Sequence, residues 1–404
     1  MTNDVKKVPE LRFPEFNEDW NERTLSDSIK ILKSGLSREL STTDIGLPVI
    51  RANNLQNYNL VLDDIKYWFK EDPKGAKTEN YYLEKNDILV NFINSEAKMG
   101  TSCIIKSDFK RDTIYTTNIL RYVTKEAYDS YFHYIYTQTY NYKKWIKIIT
   151  KPAVNQASFT TVDFKKIPYY IPEFKEQQKI GEFFSKLDRQ IELEEQKLAK
   201  LEEQKKVYMQ KIFSQQLRFK DENGNDYPKW ENKQLGNLVD ITMGQSPSSK
   251  NYTENSNYTT LVQGNADLNN GYIEPRIYTK QITKLAEVND ILLTVRAPVG
   301  KIGRAQLKAC IGRGVCAIKG DSFIYYFLEL FDLQNKWIRF SQGSTFESIS
   351  GNEIKNIDIA YPVNEERQKI SEFLSKLDKL LKNQLLKVEQ LKQRKQGLLQ
   401  KMFI

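Results

Sequence analysis

Few residues in this chain could perform covalent or metal chemistry. Its 404 residues include one histidine, His133, and three cysteines, Cys103, Cys310 and Cys316. A single imidazole excludes His-rich metal sites and makes any Ser-His-Asp arrangement depend on that one residue. Its position in the aromatic run Tyr131 to Tyr136 fits a core histidine better than a catalytic one. Three unevenly placed cysteines make neither a disulfide framework nor a four-ligand zinc site, which points to a reducing compartment. Glu-x-Lys triplets occur at Glu195-Lys197, Glu203-Lys205 and Glu353-Lys355, but with 61 Lys plus Arg and 52 Asp plus Glu such triplets arise freely. No GxxxxGK[ST] phosphate loop, no GxGxxG after a strand, no HExxH and no GxSxG occurs. The Asn-Pro-Pro-aromatic and Asp-Pro-Pro-aromatic loops that hold an adenine amino group are absent as well. No catalytic residue and no metal site are expected.

The chain is rich instead in groups that read or hold a partner. Between Asp290 and Asp321 there is no acid, yet Arg296, Lys301, Arg304, Lys308, Arg313 and Lys319 all occur; between Asp129 and Asp163 there is again none, with Lys143, Lys144, Lys147 and Lys151. Acid-free basic stretches in otherwise balanced segments suit contact with phosphates. Asn and Gln are interleaved with them, and these side chains can bond adenine at two points, as Arg can guanine. Three loops carry such groups at corresponding places in the two halves of the chain. The turn after the first buried strand supplies Arg51, Asn53 and Asn54, and then Gln263 and Asn265. The loop after Asn-Asp-Ile-Leu supplies Asn94 and Lys98, and then Arg296, Lys301 and Arg304. A polar loop further on supplies Lys151, Asn155 and Gln156, and then Ser344 and Thr345. Arg313 completes the candidate set.

These loops sit in a chain that repeats itself. The stretch EQQKIGEFFSKLD (176 to 188) returns as ERQKISEFLSKLD (366 to 378), and the match continues without a gap to Phe213 and Phe403, with 16 identities in 38 positions. Weaker echoes are Leu-Arg-Phe at 11 and 217, Trp20 and Trp230, and Asn-Asp-Ile-Leu at 86 and 289. The organisation is A-B-A′-B′: segments 1–172 and 217–361 alternate with segments 173–216 and 362–404. The A segments read as mixed α/β (α+β) domains with short strands, among them Leu47 to Ile50, Asp87 to Phe92, Ser102 to Ile105, Leu261 to Gln263, Asp290 to Val295 and Val315 to Ile318. Helices are expected over Tyr128 to Ile148 and Ser322 to Phe340. The B segments place apolar residues at steps of four and three and predict helices of about 38 residues, each opened by a proline.

Such a helix cannot cover its own apolar seam, and the obvious partner is its repeat. The seam runs through Leu187, Ile191, Glu194, Leu198, Leu201, Lys205 and Tyr208, and through Leu377, Leu381, Gln384, Val388, Leu391, Lys395 and Leu398. Matching the polar interruptions predicts an antiparallel coiled coil with Glu194 opposite Lys395 and Lys205 opposite Gln384. The alternative is two independent amphipathic helices, each docked on its own domain. No run of about 18 apolar residues exists, and the polar start MTNDVKKVPE lacks a signal-peptide core, so a cytoplasmic, membrane-free protein is expected.

Two variable domains, each opened by Leu-Arg-Phe and a Trp about ten residues on and each closed by a Pro leading into E-x-Q-K-I-x-E-F, resemble the DNA specificity subunit of type I restriction-modification systems. The resemblance covers essentially the whole chain. Its most specific parts are PELRFPEF (9 to 16), the two repeated helix starts, and GSTFESISGNEIKNIDIAYP (343 to 362), a motif that departs to AVNQASFTTVDFKKIPYYIP (153 to 172) in the first half. The resemblance implies two target recognition domains, each reading half of a bipartite site in double-stranded DNA. It also implies two long helices that pair antiparallel as a spacer and dock two methylation subunits, with restriction and translocase subunits joining through them. S-adenosylmethionine, ATP and Mg²⁺ are then expected in those partners, with no cofactor and no catalysis in this chain. A competing expectation is a non-enzymatic coiled-coil scaffold that binds protein partners.

Overall fold

The structure, a computed structural model, describes residues 7–338 and 348–404. It divides into two compact units: Met1–Glu195 with Leu386–Ile404, and Gln196–Leu385. The divisions fall inside the two long helices, Phe174–Phe213 and Asn364–Met402, and not at their ends. Each unit is thus a globular domain with half of each helix built into it.

In the first unit an antiparallel four-stranded sheet has the order Ile29–Ser34, Ile119–Thr124, Ile88–Asn91, Ser102–Ile104. A smaller sheet sets Leu47–Ile50 between Ile114–Tyr115, which is parallel to it, and Lys66–Trp68. The second unit repeats the plan. Asp240–Met243, Val315–Lys319, Ile291–Thr294 and Ile302–Arg304 are neighbours in one sheet, and Thr259–Val262 lies parallel to Ala309–Ile311 in another. The Asn-Asp-Ile-Leu echo has a local cause. Asn86 and Asn289 take positive φ (71° and 76°), a conformation Asn tolerates, while Asp87 and Asp290 accept the backbone N–H of Glu84 and Glu287 and lock the turn before a fully buried strand. Each domain's main helix starts at an aspartate N-cap: Asp129 accepts from Phe132 N and Asp321 from Ile324 N.

Two expected elements change. The helix expected over Tyr128 to Ile148 is two helices, Ser130–Tyr136 and Tyr140–Ile149. The break follows from Thr137 and Thr139, whose hydroxyls bond the carbonyls of Tyr134 and Tyr136, Thr139 then capping Tyr142 N. The helix expected to reach Phe340 ends at Leu333.

The repeated Leu-Arg-Phe and Glu-x-Gln motifs are two parts of one joint. Arg12 forks onto the fully buried carboxylate of Glu176 through Nε (2.8 Å) and Nη2 (2.7 Å), and Arg218 does the same to Glu366 at the same two distances. Trp20 packs edge-on against Phe132 and Phe403, and Trp230 packs likewise against Phe323, which also meets Phe213. Leu11 N donates to Lys401 O at the end of one long helix, as Leu217 N donates to Lys211 O at the end of the other. The first contact joins segments far apart in the chain, and the second closes a short turn. In the first unit Ile180, Phe184, Leu187 and Ile191 of one long helix and Leu399, Met402 and Phe403 of the other share a single core with Trp20 and Phe132.

The helices are antiparallel, but the expected register is corrected. Lys395 bonds Asp188 (2.6 Å) and Gln138 (2.7 Å), and Glu194 bonds Lys387 (2.9 Å), so Glu194 is not opposite Lys395. Lys205 bonds Asp378 (2.6 Å) and Glu329 (2.8 Å), not Gln384. Asp188 and Asp378 are repeat equivalents, as are Lys205 and Lys395, so the same ion pair is made once in each unit with the helices exchanged. Aspartates in the first half of each helix answer the seam lysines because each lysine also faces a globular domain, a third element that pairing helix against helix alone leaves out. Tyr208 is correspondingly turned outward, and Met209 takes the fully buried place. Leu198, Leu201, Leu377, Leu381, Leu391 and Leu398 are half-buried, whereas Leu187, Ile191 and Val388 are buried.

His133 is fully buried, with Nδ1 against Asp129 O (2.9 Å) and Nε2 against the Tyr169 hydroxyl (3.0 Å). Burial lowers its pKa to about 4, so the imidazole is neutral and structural.

Candidate nucleic-acid interface

The first unit gathers polar side chains from four loops around one cleft of about 410 Å³. Arg51 and Asn53 follow the strand Leu47–Ile50; Asn94 and Lys98 follow Ile88–Asn91; Thr117 and Asn118 lie in the turn before Ile119–Thr124; Gln156 comes from the polar loop. Backbone pairing explains the last arrival. Ala157 pairs with Asn94 and Ser158 with both Ile93 and Lys151, which clips the ends of the polar loop to the strand that carries Asn94. Opposite them, Gly35 brings the chain so close that a Cβ there would lie 2.0 Å from Tyr115 O, so only glycine lets Ser37 and Arg38 reach the rim.

Cations and amides play different parts in this cleft. Arg51 Nη2 donates to Asp64 Oδ2 (2.7 Å) and to Asp64 O (2.6 Å), and this hydrogen bond holds Asp64 below the ordinary carboxylate range. Arg38 forks onto Asp72 (3.0 and 2.5 Å), whose pKa it likewise pulls down. Both guanidinium groups are therefore matched by carboxylates. Among the described residues, the side chains of Asn53, Lys98, Asn118 and Gln156 make no hydrogen bond or ion pair, and Asn94 offers its oxygen to the neighbouring Ser95 N. The result is a row of unspent amide donors and acceptors with one free ammonium, on a frame held by buried strands.

Asn54 does not belong to this surface. It is 2% exposed; its oxygen accepts Arg51 N, and its amide donates to Val61 O and Asp63 O. It holds the turn that presents Asn53. Lys151 and Asn155 are exposed on the polar loop beside Gln156.

The second unit builds the same place with other residues. Gly312 N bonds Val262 O as Thr116 N bonds Ile50 O, and Gln245 N bonds Ile311 O as Leu36 N bonds Tyr115 O. By that correspondence Gly244-Gln245-Ser246 stands where Gly35-Leu36-Ser37 does, Gln263 where Arg51 does, and Arg313 where Thr117 does. A Cβ on Gly244 would lie 2.1 Å from Gly312 O, the same close approach again. Asp267 does the work of Asn54: it is buried and accepts Gln263 N (2.7 Å) while pairing with Arg276. Asn265 is exposed in the turn, and the Gln263 oxygen accepts the Tyr252 hydroxyl. Arg296 is exposed and bridges Ser348 through its backbone. Ser344 and Thr345 lie outside the described residues.

Two candidates of the second unit are engaged within the chain, as Arg51 is in the first. Arg304 lies over the Tyr325 ring (4.3 Å) and donates to Ser322 Oγ, and Lys301 bonds Asp332 (2.9 Å). Lys308 is similarly paired with Glu287. The acid-free stretch in the sequence is thus partly neutralised in space, because its acids come from elsewhere in the chain. Ser37, Arg38 and Gln245 were missed; the signal was a short Gly-x-Ser echo at 35–37 and 244–246. Among the described residues, no group of His, Cys, Asp and Glu is placed to hold a metal, and no helix is long and apolar enough to cross a membrane.

Residues 17–203 and 227–390 match the family model of the type I restriction modification DNA specificity domain. A putative type I restriction enzyme MjaX specificity subunit of Methanocaldococcus jannaschii is 30% identical over 401 residues, 95% of this chain and 93% of that one. The MjaIX specificity subunit of the same organism is 26% identical over 194 residues, 42% of this chain and 43% of that one. Among solved structures, the type I restriction-modification S subunit from M. genitalium is 16% identical with a TM-score of 0.62, covering 98% of this chain and 99% of that one. A chain from a study of complex assembly and conformational transition in a type I system is 20% identical with a TM-score of 0.55, covering 95% and 97%. The two structures share the fold described here.

Proposed function

The chain belongs to the type I restriction-modification DNA specificity family, and from that premise we propose that each unit reads one half of a bipartite, asymmetric sequence in double-stranded DNA. The carrying observation is the first unit's cleft, where Asn53, Asn118 and Gln156 from separate loops present amides that have no partner among the described residues, beside Lys98. Amides held on a rigid frame suit the edges of bases, and a free ammonium suits a phosphate. The chain itself performs no catalysis. It directs adenine N6 methylation, or restriction, carried out by partner subunits.

Two methylation subunits dock on the long helices, and restriction and translocase subunits join through them. Exposed apolar residues along those helices, among them Leu193, Val207, Leu380 and Leu386, support a role in binding protein. S-adenosylmethionine, ATP and Mg²⁺ belong to the partners, and the assembly works in the cytoplasm.

The test is co-expression with candidate methylation subunits, followed by single-molecule mapping of N6-methyladenine across the host genome. One new bipartite motif, methylated on both strands and lost when the gene is deleted, is the expected outcome. A complex that forms without producing any motif would instead make the chain a scaffold.

A further inference from the structure

The two units present different cations at the same place in the fold. In the first unit both cleft arginines are matched by carboxylates, Arg51 by Asp64 and Arg38 by Asp72, and the turn residue is Thr117. In the second unit that turn residue is Arg313. Its side chain is exposed and, among the described residues, makes no hydrogen bond or ion pair, while its backbone is immobilised. Arg313 N donates to Ser246 Oγ (3.0 Å), and Gly312 N to Val262 O. The glycines on either side are packed, since a Cβ on Gly314 would lie 2.1 Å from Gln263 O and one on Gly312 would lie 3.2 Å from Ser246 Oγ. On a locked turn the backbone is already ordered, so binding has only the side chain of Arg313 left to immobilise. Its paired N–H donors match guanine O6 and N7, whereas an amide matches adenine.

We propose that Arg313 is the guanine-reading residue of the second unit, and that the half-site read by this unit contains a guanine recognised through its O6 and N7 edge. The first unit, whose cleft arginines are already occupied, reads its half through Asn53, Asn118 and Gln156. This inference rests on the reading of both units as base-reading domains.

The experiment uses the whole complex, with the chain co-expressed with its methylation subunits and N6-methyladenine mapped for the wild type, R313A and R313K. Expected is a wild-type motif with guanine required at a position in one half. R313A and R313K should keep the spacing and the other half while accepting any base there, since lysine retains the charge but not the fork. A folding failure in the variants is bypassed with the wild-type complex and duplexes carrying 7-deazaguanine, which lacks only N7. Affinity should fall about tenfold at that guanine and hold at all other positions. The inference is overturned if R313A keeps the wild-type motif, if R313A weakens methylation equally at every site as loss of a phosphate contact would, or if 7-deazaguanine costs nothing at any position. A wild-type complex that assembles and yields no motif overturns the base-reading function itself, and this inference with it.

Discussion

The two units share a frame and differ in what it displays. At the joint between domain and long helix they agree nearly atom for atom: Arg12 on Glu176, Arg218 on Glu366, a tryptophan beside phenylalanine in each. At the cleft they diverge, with Arg51, Thr117 and Asn118 in one answered by Gln263, Arg313 and Gly314 in the other. The backbone contacts that shape the cleft survive the divergence, because glycine at 35 and 244 and the strand-end hydrogen bonds depend on close approach and not on the displayed side chains. A frame built this way can change what it reads without being rebuilt.

Even the shared joint has one asymmetry, and it gives the largest expected effect. Glu366 accepts from Trp230 Nε1 (2.9 Å) as well as from Arg218, whereas among the described residues Trp20 Nε1 has no hydrogen-bond partner and Glu176 accepts from Arg12 alone. Arg12→Ala should destabilise the first unit by about 3–5 kcal/mol, the cost of a buried carboxylate left unpaired, and Arg218→Ala should cost the second unit less. Denaturant titration followed by hydrogen exchange in each unit measures both, and equal losses would show that the tryptophan bond contributes nothing.

The lone histidine separates the units by pH. His133 has a folded pKa of about 4, below the ordinary 6.5, so the unfolded chain takes up its proton first as pH falls. The contribution of His133 to the first unit's stability is fully present above pH 6.5, declines between 6.5 and about 4, and is gone below. The loss is about 3 kcal/mol for a group this deeply buried. The second unit has no such contribution. The difference in slope between wild type and His133→Gln isolates it, and parallel curves would remove the argument.

Asn53 and Asn54 are neighbours with opposite fates. Asn54→Ala should destabilise the first unit by about 1–3 kcal/mol, since two carbonyls and one N–H lose their partner. Asn53→Ala should leave the melting curve unchanged and cost about 1–3 kcal/mol of binding at a single base position. A melting shift for Asn53→Ala, or a relaxed base for Asn54→Ala with no shift, would reverse the assignment. The smallest effect is that of Lys98→Ala. It should weaken binding to every sequence alike and lower the salt dependence of binding by about one phosphate contact, as measured by titration at several salt concentrations.

Much of this organisation was legible in the residues. The repeat, both long helices, most strands and the loops that meet at the first cleft follow from periodicity and from echoes between the halves. Arg51, Asn53, Asn94, Lys98 and Gln156, chosen from separate loops, come together there. What misled was local reading of groups whose partners are remote. Asn54 looks like its neighbour until Val61 O and Asp63 O claim its amide. Arg304, Lys301 and Lys308 look like free cations until Tyr325, Asp332 and Glu287 meet them.

By itself the sequence determined the period of the helices, the positions of turns and caps, and the pairing of motifs across the repeat, because each depends on residues a few positions apart or on identity between copies. The helix register, the matching of Arg51 and Arg38 by carboxylates and the exposure of Arg313 were decided only by the tertiary structure. Those outcomes depend on which charges burial brings within about 3 Å of one another, and over such distances a desolvated group takes the partner that packing supplies.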